Sequence, residues 1–173
     1  SQTAINYVAK ALKGQEMNFE WTHLKANGEE VNVRVHLNVI HYDNQDLVLA
    51  SWRDISKDKN KDEELFRLNT AVENSPVSMV ITNLDAEIEY VNPAVLKITG
   101  YTKEELIGKN PRILQSGQTP KNTYNELWGA LTAQKEWHGV FHNKKKNGDL
   151  YWERVHISPI TNSHGVITHY LAV

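Results

Sequence analysis

The sequence contains no cysteine among its 173 residues, which excludes disulfide bonds, thiolate nucleophiles and cysteine-ligated zinc. No apolar run approaches the roughly 20 residues that a membrane-spanning helix needs. The formal net charge is −2 and no long basic run occurs, which argues against nucleic acid as a partner. HExxH, P-loop and G-x-S-x-G motifs are all absent, so we predict no catalytic residue and no enzymatic activity.

One stretch of the sequence occurs twice. Residues 25–40 and 145–160 share Lys, Asn, Gly, Arg, Val, His and Ile at matching positions, and the offset is constant, as between Asn27 and Asn147. A repeat at about domain spacing predicts two homologous domains, not a solenoid of short units. In the first copy, Asn27-Gly28 predicts a type I′ hairpin turn, followed by an alternating strand over residues 30–41.

The remaining patterns predict an α+β fold. Residues 75–173 read as β-β-α-α-α-β-β-β, which favours a five-stranded antiparallel sheet with helices on one face. The first copy has far fewer residues before its strands than the second. We therefore predict the C-terminal half of one domain over 1–56, a linker helix over 57–74 and a second, nearly complete domain over 75–173.

Several segments resemble the PAS family of sensory domains. They are AVENSPVSMVITNLDAEIEYVNPA, ITGYTKEELIGKNPRILQSG, YNELWGAL, EWHGVFHNKKKNGDLYWERVHISPI and, after the first copy, SWRDISKDK. The resemblance covers about 66–173 in full and 11–56 as the second half of another copy. The second copy is most similar to PAS domains of bacterial sensor kinases and cyclic-di-nucleotide enzymes, and to the flavin-binding redox sensors of nitrogen-fixation regulation.

The resemblance implies a cytoplasmic sensory module of a larger bacterial signalling protein, such as a histidine kinase of a two-component system or a diguanylate cyclase. The module would sense redox state, oxygen or a small ligand and pass the signal to an output domain. Self-association through the PAS domain and its flanking helices is expected, without nucleic acid or membrane contact. The alternative is a ligand-free PAS module that acts in dimerisation and signal relay.

Strand alternation decides which side chains can reach a pocket in the second copy. The resemblance implies that two sets of alternating residues point inward: Gly139, Phe141 and Asn143 on one strand, and Tyr151, Glu153, Val155 and Ile157 on the next. Asn offers both a donor and an acceptor, which suits the polar edge of an isoalloxazine ring. The first copy has His23 and Val33 where the second has Asn143 and Glu153, so the polar pair is specific to the second copy.

FAD is the cofactor that the resemblance suggests. Trp128 matches a Trp beside the flavin, and Asn110 and Arg112 lie in the loop that covers it, where Arg112 could bind a phosphate. Light-sensing LOV domains have a cysteine in this loop, where this chain has Pro111, so their photoadduct cannot form. The flavin-binding redox sensors have a glutamate where this chain has Pro111, which argues against redox signalling but not against flavin binding.

Each of these residues also has a structural interpretation. Trp128 could be a core aromatic of an amphipathic helix, Glu153 could bond a neighbour in a ligand-free core, and Arg112 could be a surface residue. His138 and His142 share the outward face of their strand. Two histidines without a third ligand are weak evidence for a metal, so we predict no metal site.

Overall fold

A computed structural model describes residues 2–173, which divide into two compact units. Unit 1 ends at Arg67, and unit 2 runs from Leu68 to Val173. Among the described helices, none combines the length and the apolar character that a membrane span requires.

Unit 1 is a helix followed by a three-stranded antiparallel sheet in the order β1-β2-β3. Its elements are α1 (Gln2–Leu12), β1 (Met17–Leu24), β2 (Glu30–Tyr42), β3 (Gln45–Asp54) and the start of α2 (Ser56–Glu73). The predicted alternation of β2 is visible in its burial, since Val31, Val33 and Leu37 are buried. Ala11 of α1 and Ile55 are buried as well, so the apolar residues of this unit form a small core.

The turn between β1 and β2 is not the predicted type I′ turn. Gly28 has a φ of 82°, but Asn27 does not have a positive φ. The Gly28 N–H donates to the Lys25 carbonyl at 2.9 Å and the Lys25 N–H to the Glu29 carbonyl at 2.8 Å. This is the longer type of hairpin loop with a glycine bulge.

A type I′ turn does occur in unit 1, between β2 and β3. Asp43 and Asn44 have φ values of 48° and 60°, so both central residues are left-handed. Tyr42 pairs directly with Gln45, which leaves a two-residue loop. The prediction was wrong because loop length selects the turn type, and an Asn-Gly pair alone does not reveal that length.

Unit 2 has the predicted α+β architecture. Its strands are β4 (Val80–Thr82), β5 (Ile88–Val91), β6 (Trp137–Lys144), β7 (Leu150–Thr161) and β8 (Ile167–Ala172), and its helical segments are α3 (Pro93–Thr99), α4 (Lys103–Leu106), a 3-10 turn (Pro111–Leu114) and α5 (Lys121–Thr132). The sheet order is β5-β4-β8-β7-β6, and every neighbouring pair is antiparallel. The predicted five-stranded antiparallel sheet is confirmed.

The helix boundaries of unit 2 follow from capping residues. Thr102 and Glu105 form a capping box at the start of α4, and the Thr102 N–H donates to the Glu105 carboxylate at 3.0 Å. Gly100 ends α3 with a φ of 76°. These short helices pack Val95 and Leu106 against Ile88 and Val91 of β5.

Asn92 precedes Pro93 at the start of α3, but its side chain does not cap the helix. The buried amide instead accepts the Met79 N–H at 2.9 Å and donates to the carbonyls of Val77 at 2.8 Å and Val72 at 3.2 Å. One side chain therefore joins the last turn of α2 to the segment that leads into β4.

The two copies of the repeat have the same strand register. Met17 pairs with Leu37 across β1 and β2, and Trp137 pairs with Ile157 across β6 and β7, at matching positions of the two copies. The helices α1 and α5 also occupy corresponding positions before the first strand of each pair. Each residue of β1 and its partner in β2 therefore have structural equivalents in β6 and β7.

Candidate functional site

Unit 2 contains a cavity of about 440 Å³. Small-molecule sites typically have volumes of about 300–1,000 Å³. The cavity is lined by side chains of the sheet, of α5 and of the 3-10 turn, and most of its wall is apolar. The structure brings all the sequence-predicted site residues to this one cavity: Asn110, Arg112, Trp128, Phe141, Asn143, Glu153 and Val155.

The polar centre of the wall is a pair of side chains on adjacent strands. The Asn143 amide nitrogen donates to Glu153 Oε2 at 2.8 Å, and only 6% of Asn143 is exposed. Burial raises the pKa of Glu153 above its usual value, and the hydrogen bond from Asn143 partly opposes that rise. The site therefore holds a carboxyl group that gains a proton more readily than an exposed glutamate does.

Tyr151, which sequence reasoning did not single out, is paired with Asn143 across β6 and β7 but does not line the cavity. Its hydroxyl is buried and has no hydrogen-bond partner among the described residues. Burial raises the pKa of Tyr151 to about 12, the charge of Glu153 acts in the same direction, and the nearby Asn143 side chain opposes the rise. The sequence did contain a clue to Tyr151, which lies two residues before Glu153 and on the same face of β7.

Aromatic rings form a stack along the inner face of β6. Phe141 stacks on Tyr124 of α5 with centroids 5.5 Å apart and on Trp137 with centroids 5.2 Å apart. Gly139 lies between the two β6 aromatics, and a Cβ there would lie 2.1 Å from the Trp137 ring. The glycine thus leaves the space in which Trp137 lies flat over the strand.

The exposure of Trp128 does not fit the interpretation of this residue as a core aromatic. Leu127 and Leu131 of α5 are buried, whereas 43% of Trp128 is exposed, although it lines the cavity. Trp128 therefore lies at the boundary between cavity and solvent.

The loop residues Asn110 and Arg112 form one hydrogen-bonded unit. Asn110 Oδ1 accepts the backbone N–H of Arg112 and its guanidinium Nε, both at 3.1 Å. Arg112 is exposed while also lining the cavity, so its guanidinium lies at the rim. A rim position suits contact with a charged group outside the cavity.

The loop after the 3-10 turn is attached to β6, the edge strand of the sheet. Gln115 forms an isolated antiparallel bridge with Asn143. Thr119 Oγ1 accepts the His142 N–H at 2.9 Å, and the Ser116 hydroxyl donates to the His142 carbonyl. Asn143 therefore belongs both to the polar wall of the cavity and to the backbone junction with this loop.

Unit 1 lacks the corresponding polar pair. Val33 is fully buried at the position of Glu153, and His23, at the position of Asn143, is exposed. The cavity residues are therefore a property of unit 2.

Comparisons with known proteins place the chain among sensory domains. The family model of the PAS domain matches residues 1–57 and 76–173. The nitrogen fixation regulatory protein of Klebsiella oxytoca is 39% identical over 104 residues, which cover 60% of this chain and 21% of that protein. The blue-light-activated histidine kinase of Brucella canis is 38% identical over 105 residues, which cover 59% of this chain and 22% of that protein. The chain thus spans about a fifth of the length of these two curated relatives.

Solved structures agree on the fold. The PAS domain of a protein from Colwellia psychrerythraea superposes with a TM-score of 0.58 and 23% identity, covering 63% of this chain and 92% of that one. The light-state LOV domain of the blue-light photoreceptor Aureochrome1 gives a TM-score of 0.54 and 25% identity, covering 62% and 83%.

Proposed function

Since the chain belongs to the PAS domain family, we propose that it is the sensory input module of a larger bacterial signalling protein and binds a small ligand in unit 2. A histidine kinase or a diguanylate cyclase is the kind of output that we propose for the full-length protein. A cytoplasmic location stays a prediction.

The observation that carries this proposal is the cavity with its buried polar groups. The amide of the buried Asn143 and the part-buried carboxyl of Glu153 lie in a mostly apolar wall. The buried Tyr151 hydroxyl belongs to the residue paired with Asn143, just beside this wall. Burial of unsatisfied polar groups is unfavourable unless a partner compensates for the lost water. A ligand with donors and acceptors along one edge would supply further partners to Asn143 and Glu153 beyond the bond that joins them.

The ligand that we propose is a flavin, with FAD as the first choice. Asn143 would contact the polar edge of the isoalloxazine ring, Trp128 would lie beside the ring, and Arg112 at the rim would contact a phosphate. The support is the match of these residues with the flavin-binding PAS domains that the sequence resembles. The chain has no cysteine, so the signal would be redox state or occupancy and not formation of a cysteinyl adduct.

Signal transfer would begin at the polar pair. A change of the ligand that alters its hydrogen bond to Asn143 would act on β6 and on the bridge to Gln115. β7 and β8 connect β6 to β4, and Asn92 joins the approach to β4 to the last turn of α2. A ligand shifts such an equilibrium only by its differential affinity for the two states.

The test is the visible absorption spectrum of freshly purified protein, followed by reconstitution with FAD and with FMN. We expect a flavin spectrum that is lost or weakened in Asn143→Ala and Trp128→Ala. The control is His23→Ala, which changes the matching position of unit 1 and should leave the spectrum intact. A protein that stays colourless after both reconstitutions would refute the flavin, and a screen of small metabolites by melting shift would then test the cavity itself.

A ligand-free dimerisation module is the second candidate, and one observation favours it. No residue of α2 is buried within the chain, and Leu65 and Leu68 are 64% and 59% exposed. With Val72 they follow the spacing of an apolar stripe that could pack against a second copy. This candidate predicts concentration-dependent association in sedimentation experiments, abolished by Leu65→Glu with Leu68→Glu, and no ligand effect on the melting temperature.

A further inference from the structure

We propose that unit 2 binds a zinc ion on the outer face of its sheet, through Glu136, His138 and His156. One ligand atom from each of these residues lies within 4.8 Å of the other two. The cluster is separate from the cavity, because none of its members lines the cavity wall. Two imidazoles and one carboxylate form a ligand set that zinc accepts with a water molecule in the fourth position.

The strand register creates this cluster. His138 of β6 is paired with His156 of β7. The N–H and carbonyl of His156 both bond to Val173, at 2.8 and 2.9 Å, so they point away from β6. The two histidines therefore form a non-hydrogen-bonded pair, the kind in which facing side chains lie closest. Their rings stack with centroids 4.1 Å apart.

Glu136 completes the set from the turn before β6. It lies two residues before His138, and its Oε2 is 3.1 Å from His156 Nε2. Tetrahedral zinc with ligand bonds of about 2.0–2.1 Å holds neighbouring ligand atoms about 3.3 Å apart. The observed pair is thus already close to the required separation. The third ligand atom, on His138, lies within 4.8 Å of both and would move closer on binding.

Unit 1 contains the same arrangement without its third ligand. Glu16 and His36, at the positions of Glu136 and His156, lie 3.5 Å apart between Oε1 and Nε2. The residue paired with His36 is Asn18, where unit 2 has His138. Unit 1 therefore serves as an internal comparison in which one residue decides whether a metal site is present.

The experiment is a zinc titration of the untagged full chain against a chromogenic zinc indicator at about pH 7.5, where free imidazole is mostly neutral. We expect one zinc per chain, with a rise in melting temperature on binding. His138→Asn copies the residue of unit 1 and should weaken binding about 100-fold or more, because loss of an outer-sphere partner alone lowers metal affinity about 10–100-fold. Asn18→His should raise the stoichiometry to two.

The matched control is His142→Ala. His142 lies on the same strand face but stacks on Trp152, with ring centroids 4.2 Å apart, and is outside the cluster. Its removal should leave zinc affinity unchanged, which separates the cluster from general binding by surface histidines. The proposal is overturned if the parent chain shows no saturable zinc binding or if His138→Asn binds zinc as tightly as the parent.

Discussion

Glu153 is the residue whose chemistry differs most from that of its repeat counterpart. In unit 2 a carboxyl group lies in the cavity wall and bonds Asn143, whereas the same position of unit 1 holds the buried Val33. Burial disfavours the charged form, so Glu153 destabilises the folded state once it ionises.

This difference makes the stability of unit 2 depend on pH. The folded pKa of Glu153 is raised, so the folded state holds its proton more tightly than the unfolded chain does. The stabilisation that the protonated Glu153 contributes is fully present below the unfolded pKa of a glutamate, about 4.3, and is lost as pH rises through the folded pKa of Glu153. Glu153→Gln keeps an acceptor for Asn143 and removes the titration. Its free energy of unfolding should therefore rise relative to that of the parent as pH increases.

Urea unfolding of the ligand-free protein between about pH 4 and 8 checks this expectation. Asp85→Asn, on the exposed turn before β5 of unit 2, is the control for loss of a negative charge, and its curve should lack this rise relative to the parent. A constant difference between Glu153→Gln and the parent across the range would contradict a raised pKa at Glu153.

Sequence reasoning reached the cavity residues of β6 and β7 because strand alternation is strict, but it did not reach those of β4, β8 and α3. Once Asn143 and Glu153 were assigned to inner faces, the positions of Phe141 and Val155 followed. Tyr151 was assigned to the same face, yet the lack of a partner for its hydroxyl depends on three-dimensional packing.

At the scale of elements, the loop of residues 115–119 protects the edge of the sheet. An edge strand exposes unpaired backbone groups that invite pairing with other chains. On β6 the bridge to Gln115 and the contacts of Thr119 with His142 satisfy several of them. The loop therefore satisfies backbone groups at the edge of the sheet in addition to lying near the cavity.

Thr119→Val tests that task, because it preserves the shape of the side chain and removes its oxygen. The His142 N–H would lose its acceptor, at a cost of about 1–3 kcal/mol in unfolding free energy. Hydrogen exchange of the His142 amide should accelerate in Thr119→Val, while Thr119→Ser should stay close to the parent. Equal exchange rates in all three proteins would show that the amide does not depend on Thr119.

The boundaries of helices and strands show which features can be predicted from neighbouring residues alone. The capping box of Thr102 and Glu105 depends on residues three apart, so the sequence predicts it directly. The turn type at Asn27-Gly28 depends on where the paired strands stop, which is a property of the pairing. The juxtaposition of Glu136, His138 and His156 likewise depends on the pairing, since the sequence analysis compared His138 with His142 on its own strand and not with His156 across the pair.

At the scale of the whole molecule, the division into two units suggests separate unfolding transitions. The hairpin loops of the two copies contain equivalent left-handed glycines, Gly28 with a φ of 82° and Gly148 with a φ of 95°. A Cβ at either position would meet no heavy atom within 4 Å. Substitution by Ala should therefore test backbone strain alone, at about 1–2 kcal/mol.

Calorimetry should resolve two transitions if the units unfold separately. Gly28→Ala should lower only the transition of unit 1, and Gly148→Ala only that of unit 2, each by several degrees. Each variant is the control for the other. A single transition that both variants lower equally would show that the chain unfolds as one cooperative body.

The shared register of the two copies has a consequence at the level of the gene. Inner and outer faces alternate along β6 and β7, so the cavity wall and the two histidines of the proposed metal site occupy interleaved positions of the same strands. Codons for asparagine and histidine differ in their first base only. A point mutation at Asn18 therefore supplies the third residue of the proposed metal site to the first copy, whereas the polar pair requires changes at both His23 and Val33.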